Sequence, residues 1–172
     1  LSSMTKYTVI ATHVMFLLSL SNCGAIWSVD SWRKGHWKRN PWPGGASVDW
    51  PLFPAWHRRL IQLLIGIVYF GSAVTKMHTP AFFSGDQLRY WMMSNVNNDN
   101  PLGEYMTLFP TLSALAAYTS IVWEVTFLFL AWRGIGRPVM LTLGLCFHVL
   151  TTFTLGLYIF PLVCITIYFA FL

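Results

Sequence analysis

From Lys6 to Asp30 the run YTVIATHVMFLLSLSNCGAIWSV contains no Asp, Glu, Lys or Arg, and about 20 helical residues cross a hydrocarbon layer about 30 Å thick. This predicts a first span. Read instead as a secretory signal, the run lacks a cleavage pattern, because Asn22 stands before Cys23 where a small residue is needed. A second apolar run covers Leu60 to about Met77, and a third follows Pro110 and ends at Arg133. From Pro138 to Leu172 there is again no Asp, Glu, Lys or Arg. That tract is too long for one perpendicular helix, and Gly156 and Pro161 offer a break, so a fourth span and a bent or truncated fifth are expected. Between spans, HTPAFFSGDQLRYWMMSNVNNDN suits a short interfacial helix and a polar loop. The expected fold is all-α: one polytopic transmembrane helical bundle of four to five spans with an interfacial helix, a single domain over residues 1–172. A chain that opens on Leu1 is also what a piece of something longer would look like.

Composition agrees with that pattern. Charged residues make up 10% of the chain, where a soluble domain carries roughly 25%, which excludes an ordinary soluble enzyme. Cys23, Cys146 and Cys164 all lie in apolar stretches without framework spacing, so they read as small core residues rather than disulfide partners. The net charge of +5 does not point to nucleic acid, because the basic residues concentrate in one connection instead of a stacking surface. That connection, Asp30 to Arg59, is rich in Trp, Pro and Gly and holds Arg33, Lys34, Lys38, Arg39, Arg58 and Arg59. The positive-inside rule places it in the cytoplasm and the N-terminus outside, and the tight RGIGRP turn after span three adds Arg133 and Arg137 on the same side. Arg33, Lys34, Trp37, Lys38, Arg39 and Trp42 are the candidate interface for anionic lipid or a partner subunit.

Ionisable groups inside spans carry the most information, because a charge at the bilayer centre costs a few kcal/mol or more. Lys76, Glu124 and His148 fall there, with His13 a weaker case. Counted from the cytoplasmic ends, Glu124 and His148 lie roughly 13–16 Å deep and Lys76 roughly 25 Å. A Glu124–His148 pair is therefore expected, whereas contact between Lys76 and Glu124 would need tilt. Gln62, Gly66, Tyr69, Ala73 and Lys76 form one stripe at helical spacing, as do Ser113, Ala117, Ser120 and Glu124, and Gly144, His148, Thr151 and Thr152. Phosphate loops, CxxC, HExxH and nucleophile elbows are absent from the sequence. No metal site is expected, since His36, His57 and His78 are scattered between both sides of the membrane.

The segment AWHRRLIQLLIGIVYFGSAVTKMHTPAFFSGDQL resembles the HTTM domain, the transmembrane domain that bacterial proteins share with the vitamin K-dependent gamma-carboxylases. Tyr69, Phe70, Lys76, Met77, Phe82 or Phe83, and Gly85 match its ordered pattern. SVDSWR and FHVLTTFTLGLYIFP resemble two further blocks, and Glu124 falls where the family tends to carry a Glu. In the carboxylases the matching lysine deprotonates reduced vitamin K. The resemblance therefore implies Lys76 as a catalytic base, with Tyr69, Lys76 and His78 around a quinone or hydroquinone and with Glu124 and His148 as polarising or proton-relaying groups. It also implies a bacterial inner membrane. At Thr75 and His78 the chain departs from the carboxylase pattern, and these residues contain no extramembrane domain of the kind that engages a protein substrate.

The expected function is accordingly a non-catalytic accessory or scaffold subunit of a larger membrane complex, with lipid or quinone in or beside the bundle and other membrane subunits as partners. The alternative is a carboxylase- or epoxidase-like enzyme using Lys76. A proton-coupled carrier working through Glu124 and His148 lacks the paired broken half-helices such proteins use. Single cysteines at Trp37 and at Gly134, in a chain whose own cysteines are replaced, are expected to react with an impermeant maleimide only after the membrane is opened. Labelling of either from the outer side would overturn the orientation.

Overall fold

A computed structural model describes residues 2–21, 29, 33, 54–94 and 100–171. The described residues are helical throughout, with 84% in helix and no strand. In chain order the helices are α1 (Ser2–Ser19), α2 (Trp56–Met77), α3 (Pro80–Phe83), α4 (Asp86–Met93), α5 (Pro101–Thr107), α6 (Pro110–Leu130), α7 (Gly136–Leu155) and α8 (Ile159–Tyr168), the last running into a 3-10 turn at Phe169–Phe171. Two compact units are present, Leu1–Leu60 and Ile61–Leu172. In the first, the ring of His57 donates through Nε2 to the carbonyl of Leu20 at 2.7 Å.

Three helices, α2, α6 and α7, are long and apolar enough to cross a membrane. Shorter apolar stretches at Thr8–Ser19 and Ile159–Phe171 lie where the first and fifth spans are expected. The boundaries follow local chemistry. Pro80, Pro101 and Pro110 open α3, α5 and α6 at the first helical position, where a missing N–H leaves no bond unmade. At the far end of α7, Gly156 adopts φ 63°, a left-handed conformation that ends the helix. The break in the last apolar tract is therefore at Gly156, and Pro161 sits in the first turn of α8.

In the second unit the side chains are sorted as lipid requires. Ser113, Ala117, Ser120 and Glu124 of α6 face inward with Gln62, Gly66, Tyr69 and Ala73 of α2 and with Gly144 and His148 of α7. Leu63, Ile67, Leu115, Val122, Phe129, Leu143, Val149 and Phe153 face outward. Small residues inside let helix backbones approach, and large apolar residues outside meet a solvent as apolar as themselves. The expected core role of the cysteines holds for Cys164, which is buried, but Cys146 is exposed on α7, and Cys23 lies outside the described residues. Cys146 sits two residues before His148, and two helical residues are about 200° apart, so burying one turns the other outward.

Residues 78–100, where a short interfacial helix and a polar loop are expected, carry the short helices α3 and α4, and a further short helix, α5, follows them. Arg89 on α4 donates through Nε to the carbonyl of Thr107 at 3.3 Å, tying α4 to the end of α5. α5 lies so close to α7 that a methyl group on Gly103 would collide with the carbonyl oxygen of Thr154 and with the amide of Asn100. Gly103→Ala is therefore expected to lower stability in detergent by about 1–3 kcal/mol. Gly71 on α2 has nothing within 4 Å of an added methyl, so Gly71→Ala should be neutral or raise stability by about 1 kcal/mol. Thermal unfolding of the two variants beside the parent checks both; equal effects would show that α5 is not seated on α7.

Candidate functional site

The interior stripe of α2 carries three polar groups in two turns: Ser72 and Lys76 engage α6, and Tyr69 engages α7 and α8. Lys76 Nζ lies 2.5 Å from Glu124 Oε1 on α6. Ser72 Oγ donates to the same oxygen at 3.3 Å. The Lys76 ammonium sits 5.4 Å from the ring centre of Phe82 on α3 and 5.9 Å from that of Phe147 on α7. Two aromatic rings at that range attract a cation, and the Lys76 side chain is left 16% exposed. Glu124 is 3% exposed, so its charge or proton is settled by these neighbours and not by solvent.

One turn closer to the start of α2, the hydroxyl of Tyr69 lies 2.7 Å from His148 Nε2 on α7 and 2.9 Å from the hydroxyl of Tyr168 on α8. His148 is fully buried. Its ring is surrounded by those of Tyr69, Trp123, Phe147, Phe160 and Tyr168, with centres 5.4–6.1 Å away. Trp123 is itself fixed by donating Nε1–H to the carbonyl of Met140 at 3.2 Å. Gly144, one turn before His148, leaves the space that the Tyr168 hydroxyl and the Trp123 ring occupy.

The structure corrects one expectation directly. Glu124 and His148 do not pair with each other; Glu124 goes to Lys76 and His148 to Tyr69. Counting depth along the backbone put Lys76 too far from Glu124 because it ignored side-chain direction. Helical side chains lean toward the N-terminus of their helix, so the long arm of Lys76 runs back toward the level of Ser72, where Glu124 also bonds Ser72. Of the three residues expected around a quinone, Tyr69 and Lys76 are interior but already bonded, and His78 is exposed with Nδ1–H donating to Val74 O at 2.8 Å. Tyr69 and Lys76 thus turn inward to different helices, and His78 turns outward. Phe82 was marked in the sequence only as a match to the family pattern, and Ser72, Phe147 and Tyr168 were missed as site residues; of these three, Tyr168 carried a signal, as a phenol in the apolar run VCITIYFAFL.

Arg33 is exposed, and Lys34, Trp37, Lys38, Arg39 and Trp42 lie outside the described residues. Among the described residues no three His, Cys, Asp or Glu gather as metal ligands. Two buried atoms, Glu124 Oε2 and His148 Nδ1, have no hydrogen-bond partner among the described residues. A buried polar atom left in that condition costs about 1–3 kcal/mol.

Apolar helices that keep small and polar groups inside and large apolar ones outside, around an enclosed Lys–Glu contact, define an integral membrane protein. More narrowly, the chain belongs to the HTTM domain family, which it matches over residues 6–172. No curated protein and no solved structure matches it.

The pair should behave as a unit. Removing one partner of a buried ion pair costs about 3–5 kcal/mol, whereas replacing both by apolar residues is often nearly neutral. Lys76→Met is expected to destabilise by that amount, and Lys76→Met combined with Glu124→Leu to recover most of it. Unfolding midpoints in micelles measure both, and additive losses would mean the contact is not formed.

Proposed function

We propose that this HTTM protein is a non-catalytic accessory or scaffold subunit of a larger membrane complex, with lipid, or a quinone lodged beside the bundle, as its small-molecule neighbour. One observation carries this reading: the amine of Lys76 is committed to Glu124 at 2.5 Å and covered by Phe82 and Phe147. An amine that is to take a proton from a substrate must turn a free lone pair toward it. Here the same atom joins α2 to α6. The outward faces of α2, α6 and α7, with Ile67, Val122 and Val149, then serve as surfaces for lipid or for a partner's helices. Arg33, Lys34, Trp37, Lys38, Arg39 and Trp42 would anchor the chain to anionic headgroups or a partner at the cytoplasmic face of a bacterial inner membrane, with the N-terminus outside.

The second reading is an enzyme of the carboxylase or epoxidase type, with Lys76 as base on a hydroquinone. What favours it is that Glu124 stands within reach to receive a proton from Lys76, and His148 with Tyr69 offers a second place to hold one.

Extraction in a gentle detergent separates the two. The scaffold reading expects other membrane polypeptides to co-purify in fixed ratio, and no consumption of reduced quinone by the purified assembly. A chain that purifies alone and oxidises reduced quinone in a reaction dependent on carbon dioxide and oxygen, lost in Lys76→Ala, would replace the scaffold reading with the enzymatic one.

A further inference from the structure

Glu124 Oε2 and His148 Nδ1 are the two buried side-chain atoms that have no partner among the described residues. Each belongs to a side chain whose other polar atom is already engaged: Glu124 Oε1 with Lys76 and Ser72, His148 Nε2 with Tyr69. Their residues are 3% and 0% exposed. The two clusters share neighbouring rings. The ring of Phe147 is 5.9 Å from Lys76 Nζ and 5.4 Å from the His148 ring, and Trp123, which precedes Glu124, is 6.1 Å from His148. Buried polar atoms without a protein partner are ordinarily satisfied by internal water making two to four hydrogen bonds. A carboxyl oxygen and an imidazole nitrogen are both suitable partners for it.

We infer that internal water held by Glu124 Oε2 and His148 Nδ1 joins the two polar clusters into one hydrogen-bond chain, running from Ser72 and Lys76 through Glu124 and His148 to Tyr69 and Tyr168. The inference goes beyond the scaffold reading and does not rest on it. Such a chain can pass a proton. With a proton on Glu124 Oε2 in place of the charge that otherwise faces Lys76, and with neutral His148 carrying its hydrogen on Nε2, the Glu124 O–H bond breaks as the water gains that hydrogen, and the water releases another hydrogen to Nδ1 as the N–H bond forms. A carboxylate and an imidazolium remain, no electrons are exchanged, and the reverse step restores the start. Phe147 and Trp123 would keep this exchange apart from the surrounding lipid.

Infrared spectroscopy of the full chain in lipid nanodiscs tests it, comparing ordinary water with oxygen-18 water. The expected result is a sharp internal-water band that shifts with oxygen-18, shifts again in Glu124→Gln, and is lost in His148→Phe. Should His148→Phe fail to fold, His148→Gln keeps a hydrogen-bonding side chain and is expected to move the band instead of removing it. No isotope-sensitive band in the parent overturns the inference. So does a band that responds to only one of the two positions, since water bound there would not join the clusters. Partner recovery and quinone turnover are separate readouts, so failure here leaves the proposed function standing, and the converse also holds.

Discussion

A polar atom in hydrocarbon has no water to fall back on, so it must find a partner within the protein. The contact between Lys76 and Glu124 is the strictest case in this chain, and much of the bundle follows from it. For Nζ to meet Oε1, the inward stripe of α2 must face the inward stripe of α6 closely, and the residues between them must be small. Ala73 and Ala117 are both fully buried and pack in one cluster with Phe82 and Ile121. Gly66 does the same lower down, where an added methyl would press on Leu128. A pair of leucines at these positions would hold the helices too far apart for the contact to form.

α2 is the common partner of the interior. Its side chains reach α6 through Lys76 and Ser72, and α7 and α8 through Tyr69. Gln62, nearer its start, donates to the carbonyl of Ala170 at 2.7 Å, so α2 also holds the turn beyond α8. Aromatic rings fill the space between these bonds. Trp123 and Phe147 stack with centres 4.9 Å apart, and Trp123 is also 4.9 Å from Tyr69. The polar groups are thus enclosed by large rings that exclude solvent without competing for hydrogen bonds.

Much of this was legible in the sequence. The limits of α2 and α6, the inward stripes through Tyr69, Glu124 and His148, and the break near Gly156 all follow from charge placement, helical spacing and the backbone habits of Pro and Gly. The partner of each buried group was not legible. Spacing gives the face on which a residue lies, but a lysine arm can reach more than a turn along its helix, and that reach decides whether Glu124 meets Lys76 or His148. Tyr168 was missed for a related reason. It lies in a tract without other strongly polar residues, so no stripe marked its hydroxyl as turned inward. The basic, Trp-rich stretch was conspicuous by composition, yet of its proposed anchor residues only Arg33 is described.

The interior bonds also have to be reconciled with what they contribute. Compared with well-packed apolar side chains, a buried ion pair adds little net stability, because desolvation offsets most of the attraction. Apolar stripes of Ala, Ile and Leu could have packed α2 against α6 about as firmly, but they tolerate rotation and sliding by fractions of a turn. A 2.5 Å contact does not. One residue of slip moves an atom by about 1.5 Å along the axis and about 100° around it, enough to leave both charged groups unpaired. The Tyr69, His148 and Tyr168 bonds impose the same condition on α7 and α8. These polar groups therefore set the register of four helices more than they add to their cohesion. For a scaffold this matters directly: a fixed register keeps the outward apolar faces of α2, α6 and α7 in one arrangement, which a partner's helices need in order to recognise them.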